Sequence, residues 1–293
     1  MTAIMTPTAT ADSTVLRRLL LIFRSRSGLI GTILVGLLLL FSLASAFGLL
    51  PYDPIAQNPA VRLRAPSGGH LFGTDQFGRD VFSRVMSGTA SSMLIAVVAV
   101  GFATLVGTLS GVTAGFFRGP SDGAISGVAN VLFAFPPLLL ALSLASVFAR
   151  NWFTIAIAIA VVYVPIFIRV TRGPVLALRE MDYVRAATSI GQRPSAIMFR
   201  HVLPNIAPII IVQVTLSLSW AVLTEASLSF LGLGAPPPTA SLGSMVYEAR
   251  ALVTVAPWTM VAPGAIVVLL VVGLNLLGDG LRDVFDPRNR GNQ

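Results

Sequence analysis

The chain has 293 residues, 55% of them hydrophobic and only 11% charged. A soluble domain carries about 25% charged residues, so this composition points to apolar runs that cross a bilayer rather than to a soluble core. There is no cysteine, which excludes disulfides and thiolate metal sites, and the two histidines, His70 and His201, leave little for a histidine metal site. The formal charge of +8 rests on twenty basic residues, all of them arginine. They are scattered between apolar spans and form no continuous patch, so they read as contacts to anionic lipid headgroups and nucleic acid is not expected as a partner.

Residues 1–15 are rich in Thr and Ala without apolar periodicity, and a disordered tail is expected there, within an N-terminal segment of residues 1–26. Uncharged apolar runs then follow at residues 28–50, 90–117, 123–149, 151–168, 202–224 and 251–278. Each reaches or approaches the roughly 20 residues that a helix needs to cross the hydrocarbon core. The first is too long for the core of a cleaved signal peptide. Pro136, Pro137, Pro165, Pro208 and Pro263 fall inside the runs. Membrane helices accommodate them, because neighbouring groups re-satisfy the freed backbone. With six spans, fourteen arginines fall on the side of the termini and six on the other. The excess of positive charge on the cytoplasmic side of membrane proteins then puts both termini in the cytoplasm. The predicted organisation is an all-α integral membrane protein: tail 1–26, first helix and external loop 27–86, transmembrane core 87–280, and cytoplasmic tail 281–293.

The external segment, about residues 51–88, holds Pro51, Pro54, Pro59, Pro66 and the Gly68–Gly69 pair, and reads as turn-rich surface chain. Its stretch from Gly73 to Asp80 mixes glycines with Asp75, Arg79 and Asp80. A phosphate-cradling loop needs closer glycines, a lysine and a following helix. A local network of salt bridges and turns is expected instead.

The cytoplasmic segment, about residues 172–203, is the most informative. Asp182 is suited to cap a helix on which Tyr183, Ala186, Ala187 and Ile190 recur at helical spacing. Gly191 suits the left-handed position that ends it. Pro194 suits the first turn of a second short helix, 195–201, and Pro204 stops that helix or starts the next span. The result is two short helices about a glycine turn, with Ala186 and Ala187 small enough to let a partner backbone approach.

Glu225 is the one acid inside an otherwise apolar stretch, near the outer end of the fifth span. An ionisable group at membrane depth faces a polar cavity or a partner. Two readings stand: a place with Ser229 at the outer gate or solute path, or a pair with an arginine of the external loop. The arginine pair is the expectation carried forward. Asp279, Arg282 and Asp283 at the inner end of the last span are explained by helix capping and an interfacial salt bridge.

Ala186-Ala187, Gly191, Ile197 and Leu203-Pro204 resemble the EAA loop of binding-protein-dependent ABC importers. Arg185 stands where that motif has an acid. Arg24-Ser25-Arg26-Ser27-Gly28, Pro51-Tyr52-Asp53-Pro54, Gly73-Thr74-Asp75, Gly78-Arg79-Asp80, the run from Leu228 to Gly234, Ala256-Pro257-Trp258, the run from Asn275 to Asp283, and Asp286-Pro287-Arg288 resemble the dipeptide/oligopeptide/nickel permease group. With its long N-terminal extension, the chain is similar to the C-type permease of the peptide-importer pair.

The resemblance implies a type I ABC importer permease fold with a cytoplasmic coupling helix in about residues 179–204, in the bacterial inner membrane. It implies a second, homologous permease subunit, two ATP-binding cassette ATPase subunits and an extracytoplasmic solute-binding protein. Tyr183, Arg185, Ala186, Ala187, Gly191, Pro194, Ile197, Leu203 and Pro204 would then couple to an ATPase. No Gly-Lys-Ser/Thr phosphate loop is present, so ATP and Mg belong to those partner subunits, no cofactor is expected here, and the chain is not expected to be an enzyme. Di- and oligopeptides are the expected solutes; nickel, glutathione, oligosaccharides and opines are alternatives within the same class. A secondary transporter would need intramembrane acids for its coupling ion, and Glu225 alone supplies little for one. A membrane-embedded enzyme would need a His-Glu-x-x-His motif or paired intramembrane aspartates, and neither occurs.

Overall fold

The computed structural model describes residues 23 and 25–285. The expected disordered tail, Arg17, Arg18 and Arg24, and the closing residues including Asp286, Pro287, Arg288 and Arg290, lie outside the described residues.

Helix α1, Arg26–Ala46, opens on Ser25, whose hydroxyl accepts from the Gly28 N–H at 3.0 Å. After an irregular segment comes α2, Val81–Phe117, a helix of 37 residues. It starts well before residue 90, because Asp80 caps it, accepting from the Ser83 N–H at 2.8 Å, and because Arg84 in its first turns is charge-paired rather than solvated. The predicted third span is two helices, α3 Gly119–Phe133 and α4 Pro137–Val147, bent by 92°. Pro137 starts α4, and Pro136 before it takes an extended ψ of 128° that ends helical geometry. Helix α5, Trp152–Leu178, runs past residue 168 and carries Arg169 and Arg172 on its final turns.

Helices α6, Asp182–Ser189, and α7, Pro194–Ile197, follow. Then α7 passes through a π turn, Met198–Val202, into α8, Leu203–Leu228. Of the two roles expected of Pro204, it takes the second: it sits in the first turn of α8 and starts the next span. A second π turn, Ser229–Leu233, ends the run at Gly232, whose φ is +85°. Helices α9, Leu242–Ala249, and α10, Trp258–Phe285, complete the chain. Five helical runs are long and apolar enough to cross a membrane, and six when the bent α3–α4 pair counts as one span.

The central packing is α2 against α5. Gly107, Gly111 and Gly115 stand one turn apart along α2. A Cβ at these positions would lie 2.5 Å from Phe167 Cβ, 2.6 Å from the Ile168 carbonyl oxygen and 2.9 Å from the Arg172 carbonyl oxygen, respectively. Small residues at this spacing let two helix backbones meet where apolar burial itself provides no drive within lipid. Ile95, Ala99 and Ala103 of α2, Ile159 and Phe167 of α5, Val222 of α8 and Leu270 of α10 close the buried core around this seam. Outward, α1 leaves Ile33 and Leu40 exposed, as a lipid-facing helix does.

Candidate functional site

The bundle has two polar ends, joined by α2. At its start, the segment 51–80 folds onto the helix ends through one charged network. Asp75 Oδ1 accepts from the Phe77 and Arg79 N–H groups at 2.8 and 3.0 Å, closing the turn at Gly78 (φ +72°). Its Oδ2 meets Arg79 Nε at 2.6 Å and lies 3.6 Å from Arg84 Nε. Arg79 and Arg84 both reach Glu248 Oε2 on α9, at 2.7 and 3.2 Å. Asp80 caps α2 with one oxygen and meets His70 Nδ1 at 2.8 Å with the other. The predicted residues Asp75, Arg79 and Asp80 thus stand together. His70, Arg84 and Glu248 complete the set; the last is far away in sequence and carries no local signal of its role.

At the other end, α6 and α7 form a knob seated on α2, α5 and α8. Gly191, with φ +76°, ends α6 in a Schellman turn: the Gln192 N–H reaches the Ala187 carbonyl at 3.1 Å and the Gly191 N–H reaches the Thr188 carbonyl at 3.0 Å. Asp182 does not cap α6. It occupies the first turn, behind Met181, and no side chain caps the helix. The carboxylate still favours this end through the helix dipole.

The faces also differ from the predicted single stripe. Val184 and Ala187 point inward with Ile197 and pack against Val112, Phe116, Val175 and Val202. Tyr183, Ala186 and Ile190 share the opposite face and are exposed, Ile190 by 78%. Of the remaining predicted residues, Leu203 is half-buried, and Arg185, Gly191, Pro194 and Pro204 are exposed.

Arg185, the departure from an acidic motif position, pairs with Glu180 at 2.6 Å, and Glu180 also pairs with Arg118 at 2.7 Å. The hydrogen bond from Arg185, reinforced by the Arg118 charge, holds the Glu180 carboxyl below its ordinary range. Arg172 grips Asp122 through two bonds of 2.5 and 2.7 Å, which ties the start of α3 to the end of α5.

Glu225 makes no ion pair among the described residues, so the expected arginine partner is absent. Its side chain is fully buried. Oε1 accepts from Ser229 Oγ at 2.7 Å, and Ser229 Oγ in turn accepts from Ser241 Oγ at 3.3 Å. Oε2 has no hydrogen-bond partner, although Ser92 and Ser241 lie against the carboxyl. Arg79 and Arg84 are held by Asp75 and Glu248 instead, and neither pairs with Glu225. The hydroxyls join α2, α8 and the start of α9, where the Leu242 N–H reaches Ser92 Oγ at 3.3 Å.

Between α3, α4, α5 and α8 lies a cavity of about 600 Å³ lined by Phe133, Tyr163, Gln213, Trp220 and Thr224 among others. Ser227 lines both it and a neighbouring cavity of about 430 Å³ under α9. The sequence reading did not single out these residues. Their signal was a line of polar side chains at helical spacing on α8.

This arrangement, a bundle of apolar helices with an exposed two-helix knob at one end, is that of a membrane permease. Residues 103–291 match the family of binding-protein-dependent transport system inner membrane components, and the chain belongs to that family. It is 41% identical over 259 residues to the dipeptide transport system permease protein DppC of Alkalihalophilus pseudofirmus, covering 87% of this chain and 85% of that one. It is 38% identical over 257 residues to the glutathione transport system permease protein GsiD of Pectobacterium atrosepticum, covering 86% and 85%. It is 36% identical over 290 residues to DppC of Haemophilus influenzae, covering 97% and 98%. Among solved structures, a chain of the inward-facing MetNI methionine ABC transporter superposes with a TM-score of 0.57 at 19% identity, over 69% of this chain and 97% of that one. The fold is therefore that of an ABC importer permease.

Proposed function

We propose that the chain is one of two permease subunits that line a path for di- and oligopeptides, delivered by an extracytoplasmic binding protein and driven by two ATP-binding cassette subunits. The knob of α6 and α7 carries this reading. It is firmly seated from beneath by Val184, Ala187 and Ile197, while Tyr183, Ile190 and Phe199 stand uncovered above it. An apolar surface of this kind on an exposed two-helix turn fits a groove of a partner. Here that partner is an ATPase, with the knob on the cytoplasmic side as the arginine bias favours. The termini are then cytoplasmic, and the segment 51–80 and α9 face outward. The peptide assignment is supported by the names of the dipeptide permease relatives.

The test is reconstitution of the chain with its partner permease, ATPase subunits and binding protein in vesicles. ATP-dependent uptake of a labelled dipeptide is expected. In intact cells, a cysteine at Ser67 should react with an impermeant thiol reagent and one at Ser195 should not. The reverse labelling pattern would refute the orientation, and a complex without ATPase subunits would refute the coupling role.

A further inference from the structure

From its middle onward, α8 carries Gln213, Ser217, Trp220, Thr224 and Ser227, at steps of four, three, four and three residues. That spacing keeps all five on one face of the helix. The face lines the 600 Å³ cavity together with Tyr163 of α5, and no charged residue among the described residues contributes to the lining.

Two hydroxyl protons near the end of this face are already committed. Thr224 Oγ1 donates to the Trp220 carbonyl at 2.8 Å, and Ser227 Oγ donates to the Leu223 carbonyl at 2.8 Å. Tyr163 Oη and Thr224 Oγ1 are 3.2 Å apart. Because the single proton of Thr224 is spent on Trp220, the tyrosine donates in this pair. All three oxygens therefore turn lone pairs, not protons, toward the cavity. Beside them the ring of Trp220 is 60% exposed. An aromatic face attracts cations, most strongly that of tryptophan. A wall that offers acceptors and an aromatic face, with no carboxylate, suits a solute group that donates several hydrogen bonds and carries positive charge.

We propose that the face formed by Tyr163, Trp220, Thr224 and Ser227 is a solute subsite that takes the protonated amino terminus of a peptide. The inference deepens the peptide reading and rests on it. A peptide amino terminus has a pKa of about 8, so it is cationic at neutral pH and carries three donors. A neutral acceptor wall holds it without an ion pair. It can thus be released as the path opens to the other side, since a buried ion pair would be costly to separate. Side chains of the peptide meet a mostly apolar wall, with Phe133, Leu138 and Ile166 beside Gln213 and Ser217, and selectivity among them is expected to be low.

The experiment uses the assembled transporter in lipid nanodiscs without its binding protein, so that selection by that protein does not enter. Equilibrium binding of labelled Ala-Ala is compared with that of N-acetyl-Ala-Ala. A hydrogen bond to a charged group is worth about 1.5–3 kcal/mol, so the free amine should bind roughly tenfold or more tighter. Thr224→Val and Ser227→Ala should each reduce that ratio several-fold. Tyr163→Phe with Thr224→Val should bring it near unity, with partner permease and ATPases still copurifying. Variants that keep the wild-type ratio would overturn the subsite. Loss of the partner permease from the Thr224→Val complex would overturn it too, because the face would then be a subunit interface. Failure of the wild-type transporter to import any dipeptide with its binding protein present would instead sink the peptide reading itself. Import with an unchanged amine ratio would sink only the subsite.

Discussion

Replacing Glu225 by Gln separates a buried acid held by hydroxyls from one held by a cation. In the structure, Oε1 accepts from Ser229 at 2.7 Å and no basic group of the described residues pairs with the carboxyl. The amide of Gln keeps that acceptor. Its NH2 takes the place of Oε2, which has no partner, and faces the oxygens of Ser92 and Ser241. No cation is stranded, so the change should cost within about 1 kcal/mol. For a protein of this size that is a shift of roughly 3 °C or less in melting temperature. Glu225→Ala behaves differently. It leaves the buried Ser229 hydroxyl without its acceptor, at about 1–3 kcal/mol, and opens a cavity at a fully buried site, at about 2 kcal/mol or more. The assay is the melting of the purified complex in detergent, with uptake measured beside it. A Gln variant that loses about 3–5 kcal/mol would demand a cation beside the carboxylate and refute the reasoning. Complete burial of the side chain makes that outcome hard to rescue with a partner subunit, which has no surface through which to reach it.

Gly191→Asp should leave expression and folding intact, because its positive φ costs only about 1–2 kcal/mol and open space surrounds the new Cβ. Peptide-stimulated ATP hydrolysis and uptake should nonetheless fall, and normal uptake would count against the docking role of the knob. Gly111→Leu should abolish accumulation of the complex, since even a methyl group there meets the backbone of Ile168, while Gly101→Leu, with nothing within 4 Å, should be tolerated; membrane-fraction blots distinguish them. Glu248→Ala removes the carboxylate shared by the buried Arg79 and Arg84 and should destabilise the complex by about 3 kcal/mol, read as a lower melting temperature, whereas a neutral effect would mean that Asp75 alone satisfies both arginines.

The helices were legible because lipid tolerates so few charges, and the gaps between charges mark the spans. The same rule misled at Arg84. An arginine reads as an end of a span, but Glu248, distant in sequence, folds back to pair with it and lets α2 begin at Val81. The turn at Gly191 was readable from local chemistry alone, and so was the first-turn place of Pro194. The partner of Glu225 was not readable. An acid in an apolar run invites an arginine, and nothing local says that hydroxyls from three different elements converge there. The pairing of Arg185 with Glu180 was within reach, since five residues separate them. It shows that the altered motif position keeps a salt bridge of its own, at the exposed surface.

The fixed and the yielding parts of the bundle suggest how movement at the knob would reach the outer cavity under the proposed function. Helix α2 is bound to α5 along three glycines whose backbone approach leaves no room to slide. Its far end is locked to α9 through Glu248, and its near end carries Phe116, whose carbonyl accepts from Arg179 Nη1 at 2.6 Å, just before the knob. These elements form one rigid lever from end to end. The irregular points lie elsewhere: the π turn at Met198–Val202, the π turn at Ser229–Leu233, and the 92° break between α3 and α4. All three flank the wall of α8 and the 600 Å³ cavity, and π turns and proline breaks are where helices bend. Displacement of the knob by an ATPase would therefore leave the α2–α5 lever unbent and change the angle of α8 against the broken α3–α4 pair. Such a change is a rigid-body rocking between discrete packings, and it alters the width of the cavity.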